Sequence, residues 1–180
     1  MAIHRPSAPT SSIDGMSAYS IRDASPQDAV EQSIFAETNF MLYAAGEYSA
    51  SPDELATQIE RIRASGFSRS LVAESEECLV GFLGVTGSPV PRLRHAGQLV
   101  LGVLRAHWGR GVGRALLSEA IRWAPTAGLS RLELFVMKEN TRAIALYERL
   151  GFRAEGSRRR AYMINGVAVD DQLMAFLHDA

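Results

Sequence analysis

The chain has 180 residues, 47% apolar and 22% charged, with a formal net charge of −1. This length supports one domain with a buried core, and the near-neutral balance excludes the global basic field that nucleic acid attracts. No apolar run reaches the ~20 residues of a membrane helix, and the single cysteine, Cys78, excludes an intrachain disulfide framework.

Cys78 sits in an apolar stretch and reads as a small packed hydrophobe. His4, His95, His107 and His178 are scattered without metal-ligand spacing, so no metal is expected. Residues 1–17 are rich in Ser, Pro and Ala and lack the apolar centre of a signal peptide. A flexible tail is expected there, a single domain over 18–180, and a cytoplasmic location.

Tyr19–Arg22 reads as the first strand. Ser25 can cap a helix that Pro26 starts and that fades near Thr38. Phe40–Tyr48 is an aromatic loop. A second cap, Ser51-Pro52-Asp53-Glu54, opens a helix with Leu55, Ile59 and Ile62 inside, ending near Gly66. Ser70–Ala73 and Cys78–Val85 read as antiparallel strands around the acidic turn Glu74–Glu77. A loop over Gly87–Arg94 leads to a strand at Gly97–Leu104. A helix over Val112–Trp123 follows, and Pro125 and Gly128 end it. Arg131–Met137 alternates strictly, with Leu132, Leu134 and Val136 on one face and Glu133, Phe135 and Met137 on the other. Asn140 can cap a helix over Thr141–Leu150, which Gly151 ends. Phe152–Met163 and Val169–Leu177 read as a hairpin around Asn165-Gly166. Arg158-Arg159-Arg160, the only compact basic run, reads as a solvated strand or turn. The pattern predicts one α/β domain with a mixed sheet.

Between the strand at 97–104 and its helix lies Trp108-Gly109-Arg110-Gly111-Val112-Gly113-Arg114. Glycines let backbone N–H groups approach a ligand, and a helix start offers free N–H groups and a positive dipole end. Such a site holds phosphate. A Walker A loop is absent, because no Gly-x-x-x-x-Gly-Lys-Ser/Thr occurs. The dinucleotide fingerprint Gly-x-Gly-x-x-Gly fails at Arg114 or Leu116. A phosphorylated ligand and a tight turn with no ligand remain.

The segment Asn140–Phe152 contains an asparagine, a short helix with Tyr147, and Leu150-Gly151-Phe152. It resembles the GCN5-related N-acetyltransferase (GNAT) family. The glycine loop is similar to that family's acetyl-CoA pyrophosphate loop, Gln/Arg-x-x-Gly-x-Gly/Ala. Pro26-x-Asp28 and the final hairpin are similar too. The resemblance spans roughly residues 19–178 and is most specific over 98–152. Trp108 departs from the pattern, standing where the family has Gln or Arg.

The resemblance implies a single-domain GNAT-like α/β fold. Its mixed, mostly antiparallel sheet is splayed between two central strands, here 97–104 and 131–137, and flanked by helices. It implies acetyl-CoA as cosubstrate. Backbone groups of Leu101, Gly102 and Val103 would bond the pantetheine, and an N–H of Val103 or a neighbour would polarise the acetyl carbonyl. Gly109, Arg110, Gly111, Val112, Gly113 and Arg114 would hold the pyrophosphate, with Asn140 as helix cap and cofactor contact. Tyr147 would protonate the departing thiolate.

The general base stays open. Gln98 and Phe135 stand where relatives carry carboxylates, which leaves Glu133, Glu37, Glu47, Glu74 or a water chain. Phe40, Tyr43 and Glu47 would shape the acceptor site. Their apolar and aromatic surroundings suit a small primary amine, amino-acid-like by preference. The alternatives are a protein N-terminal or lysine acetyltransferase, and an acyl-CoA-binding sensor without catalysis. A second copy of the chain is a candidate partner; nucleic acid and membrane are not expected.

Overall fold

The computed structural model describes residues 19–28, 40, 50–75 and 78–178. The expected tail at 1–17, the continuation of the expected first helix beyond Asp28, and Glu37, Tyr43 and Glu47 lie outside the described residues.

Seven strands form one sheet: β1 Ser20–Asp23, β2 Arg69–Ser75, β3 Cys78–Gly87, β4 Ala96–Val103, β5 Arg131–Met137, β6 Arg153–Ile164 and β7 Val167–Leu177. Their spatial order is β1-β2-β3-β4-β5-β7-β6. Every neighbouring pair is antiparallel except β4 and β5, which run parallel. A parallel step needs a crossover, and here α2 (Val112–Trp123) supplies it between β4 and β5. The other described helices are α1 (Pro52–Ser65) and α3 (Thr141–Arg149). None of these helices is long and apolar enough to cross a membrane.

The helices begin and end where local chemistry dictates. The Ser51 hydroxyl accepts the Glu54 N–H, and the Glu54 carboxylate accepts the Ser51 N–H at 2.8 Å, a reciprocal cap for α1. Gly66 ends α1 in the left-handed region at φ +73°. A short 3-10 turn, Ala124–Ala127, follows α2 and closes on Gly128.

Strand alternation sorts the side chains onto two sheet faces. Leu83, Leu99, Leu132, Leu134 and Val136 join Leu116, Leu117 and Ala120 of α2 and Tyr147 of α3 in the main core. The opposite face carries a smaller cluster in which Leu55 and Ile59 of α1 pack on Val72 and Phe82.

Two expectations need correction. Cys78 is exposed at the first position of β3 rather than packed, because the apolar stretch it borders turns inward only from Val80. β7 begins at Val167, two residues before the expected start. Asn165 and Gly166, at φ +50° and +78°, form a two-residue turn, so pairing resumes at once with Ile164 opposite Val167.

Candidate active site

β4 and β5 pair only through Ala96 with Arg131, Gly97 with Leu132 and Gln98 with Glu133. Both strands continue, to Val103 and Met137, without further pairing between them. Gly97 packs tightly at the join: a Cβ there would lie 2.9 Å from Val85 Cγ1 and 3.0 Å from Leu129 Cδ1. Beyond the join the strands diverge around a cavity of about 1050 Å3. Leu101, Gly102 and Val103 line it from β4. Four successive β5 residues, Leu134, Phe135, Val136 and Met137, line it from the other side. Successive strand residues face opposite sides of a sheet, so the cavity passes through the sheet between the two strands. Strand edges that part in this way offer backbone N–H and C=O groups to an extended ligand.

The glycine loop closes one end. Gly109 and Gly111 adopt φ +74° and +91°, values that a Cβ would strain. Gly111 is the N-cap of α2 and provides no side-chain acceptor. The first-turn N–H groups of α2 therefore lack a side-chain cap, as an anion-binding helix start requires. Gly113 lets α2 approach α3: a Cβ there would meet Leu146 Cδ2 at 3.1 Å. Gly109, Gly111, Val112, Gly113 and Arg114 all line the cavity. Arg110 is exposed and does not line it.

α3 borders the same space. The Asn140 side-chain oxygen accepts the Ala143 N–H at 3.2 Å, and Asn140 lines the cavity. About two turns further on, Tyr147 is buried at 7% exposure beside the ring of Phe152 and also lines the cavity. Burial pushes its phenol well above the ordinary tyrosine range. The phenol therefore stays protonated at neutral pH.

The model of the acetyltransferase (GNAT) family matches residues 32–152. The chain belongs to the GNAT family. The N-alpha-acetyltransferase RimI of Mycobacterium tuberculosis is 36% identical over 104 residues, covering 57% of this chain and 63% of that protein. The L-amino acid N-acetyltransferase AaaT of Escherichia coli is 32% identical over 108 residues, 59% of this chain and 67% of that one. A GNAT-family acetyltransferase of Streptococcus pneumoniae superposes with a TM-score of 0.83 at 31% identity, covering 88% of this chain and 99% of that one. The matched stretch spans less than two thirds of RimI and only 30% and 25% of two longer curated relatives.

Within this GNAT fold, Trp108 occupies the motif position that the family gives to Gln or Arg. Its indole N–H donates to the Val103 carbonyl at 2.7 Å, tying the glycine loop to the end of β4. The Arg142 and Arg105 guanidinium groups lie 5.4 and 5.9 Å from the centre of its ring. The sequence carried no signal for this bond, because it depends on the path of the loop.

The two candidate bases among the described residues, Glu133 and Glu74, lie apart from each other. Glu133 accepts from Arg131 Nε at 2.8 Å and does not line the cavity. Glu74 accepts from Arg22 Nε at 3.0 Å on β2, also away from the cavity. Gln98 and Phe135 do line it, as does Phe40, which is 40% exposed. Among the described lining residues the one carboxylate is Glu139, which the sequence reading did not single out. No group of three or more His, Cys, Asp or Glu among the described residues is placed to hold a metal ion.

The basic run also differs from its reading as merely solvated. Arg159 and Arg160 are exposed on β6, and the Arg160 N–H donates to the Asp170 carboxylate at 2.8 Å. Arg158, by contrast, is bound to the fully buried Asp171 and lines the cavity. Its partner lies 13 residues away across the hairpin, out of reach of a local sequence pattern.

Proposed function

We propose that the chain is an acetyl-CoA-dependent N-acetyltransferase acting on the primary amine of a small, amino-acid-like acceptor. One observation carries the reading: a single cavity runs from the uncapped start of α2, between the unpaired edges of β4 and β5, to the buried phenol of Tyr147. The residues present fit acetyl-CoA. Gly109, Gly111, Val112 and Gly113 would hold the pyrophosphate, with Arg114 adding charge. Leu101, Gly102 and Val103 would bond the pantetheine, and Asn140 would add a contact while capping α3. Arg110 would act at longer range.

Acetyl-CoA supplies the acetyl group as an activated thioester. A backbone N–H at the end of β4 would stabilise the oxyanion as the amine attacks. The Tyr147 phenol would give its proton to the departing sulfur, and the proton that the attacking amine loses on forming the amide would pass to water, from which the phenol is reprotonated. Burial makes that phenol a weaker acid than in water. The same burial makes a thiolate more costly, so the transfer keeps its driving force.

The amino-acid preference rests on the apolar and aromatic lining from Phe40, Val100, Phe135 and Met137, and on the resemblance to AaaT. The resemblance to RimI supports the alternative of an N-terminal amine of a protein. Incubation with acetyl-CoA and a panel of amino acids, polyamines and peptides, read by thiol release and product mass, tests the reading. Acetylated amino acids are expected. Tight binding of acetyl-CoA with no product from any amine would instead identify a non-catalytic acyl-CoA sensor.

A further inference from the structure

Arg158 lines the cavity from β6, and its guanidinium is held from two sides. Nε and Nη2 donate to the two oxygens of Asp171, the former at 3.0 Å. Asp171 is fully buried, so this pair is a fixed part of the fold. The Phe135 ring lies 3.8 Å from the guanidinium carbon and sets its plane. The hydrogen bonds to Asp171 use Nε and Nη2 and leave Nη1 unengaged by that carboxylate. The Arg158 side chain remains 50% exposed. Tyr162, which also lines the cavity, interacts with the same guanidinium and with Asp171. A planar cation oriented by a carboxylate, an aromatic ring and a phenol, and half-exposed to the cavity, is preorganised to bind another carboxylate.

Its position matters as much as its geometry. Arg158 pairs in register with Asp171, which pairs with Met137. Directly paired residues share a sheet face, so Arg158, Asp171, Met137 and Phe135 share one. That face is opposite the one covered by α2 and α3. The glycine loop leads into α2, so the cofactor site and Arg158 approach the cavity from opposite faces of the sheet. Four arginines line the cavity. Arg114 follows the glycine loop, and Arg142 and Arg149 lie on α3, so these three belong to the cofactor's face and Arg158 is the lining arginine of the opposite face.

We propose that Arg158 is the specificity-determining residue of the acceptor site, receiving the carboxylate of an α-amino acid on the part of its guanidinium exposed to the cavity. Asp171 and Phe135 act as its positioning residues. This rests on the transferase reading above and adds to it the group that selects the acceptor.

The test compares L-leucine and L-phenylalanine with their primary amides, which keep the amine and lose the negative charge. kcat and KM are measured with acetyl-CoA, and binding to the CoA-loaded protein is measured by calorimetry. The acids are expected to exceed the amides by roughly 10- to 100-fold in kcat/KM and in affinity, as for a charge-assisted hydrogen bond. Arg158→Gln combined with Asp171→Asn removes the ion pair without leaving a buried charge unpaired. It should bring the ratio to about one, through KM rather than kcat. Arg158→Lys, which keeps the charge and loses the planar fork, should restore part of the preference.

Equal use and equal binding of acid and amide by the unaltered protein would overturn the proposal. So would an unchanged ratio in the double variant, a preference for spermidine, or the absence of binding by either amino acid. The two readings fail separately. Acids bound in preference to amides but never acetylated would refute the transferase and leave Arg158 in its role. Acetylation of acids and amides alike would refute the role of Arg158 and leave the transferase.

Discussion

Trp108 joins two parts of the site through a single hydrogen bond. Its indole N–H reaches the carbonyl of Val103, five residues back, and so fixes the glycine loop against the open edge of β4. The position departs from the motif, while Gly109 and Gly111 keep their left-handed backbone and line the cavity. Trp108→Phe keeps an aromatic ring near Arg142 and deletes the donor. The lost hydrogen bond corresponds to about 1 kcal/mol, so the Kd for acetyl-CoA should rise about three- to tenfold. Calorimetric titration checks this; an unchanged Kd would show that the loop holds its shape without the indole. Single residues were unevenly legible. Tyr147 and Asn140 stood out because helix periodicity and a recognisable motif surround them. Arg158 looked like one of three equivalent arginines, and only pairing with Asp171 across β6 and β7 separates it from its neighbours.

Elements were easier to read than the gap between two of them. Ser51 with Glu54, Gly66, and Gly128 with Pro125 mark helix ends through local hydrogen bonding and backbone geometry, so the sequence placed them. The divergence of β4 from β5 after Gln98 and Glu133 left no local trace, because Leu132, Leu134 and Val136 alternate through the join and past it. Gly97 marks the join only in three dimensions. Gly97→Ala would push a methyl group into Val85 and Leu129, both fully buried. Overpacking of this kind costs about 1–3 kcal/mol, and thermal unfolding should report it as a lower Tm. A Tm equal to that of the parent protein would mean that the strands relax freely at the join.

The turn after β1 gives a second prediction at this scale. Asp28 is buried at 8% exposure, and its carboxylate accepts from Arg22 Nη1 and Nη2 at 2.8 and 3.0 Å and from the Ser25 N–H at 2.6 Å. Burial alone would raise its pKa, but these three donors outweigh burial and hold it below the ordinary value of 3.8. A carboxylate depressed on folding stabilises the fold above its unfolded pKa, and that contribution fades as pH falls through the folded value. Asp28→Ala should therefore cost about 1–2 kcal/mol near pH 7, allowing for the part-exposed Arg22. The difference from the parent should narrow below about pH 4. Urea unfolding across pH checks it; a constant difference down to pH 2 would show that packing, not charge, accounts for the loss.

Across the whole molecule, the fold class, the mixed sheet splayed between β4 and β5 and the family were within reach of the sequence. Strand, glycine loop and helix follow one another in a fixed order, and Asn140–Phe152 supplies a second motif at the right distance. The proposed acceptor side was less legible because the cavity residues argued for it come from β4, β5 and β6, which are brought together only in the folded sheet. The central claim is that this cavity binds acetyl-CoA and that Tyr147 gives its proton to the sulfur. Turnover by Tyr147→Phe, measured beside its Kd for acetyl-CoA, tests it most directly. Loss of a general acid predicts a fall in kcat of about 100-fold or more, with the Kd unchanged. Parent-level kcat in that variant, at unchanged affinity, would contradict it.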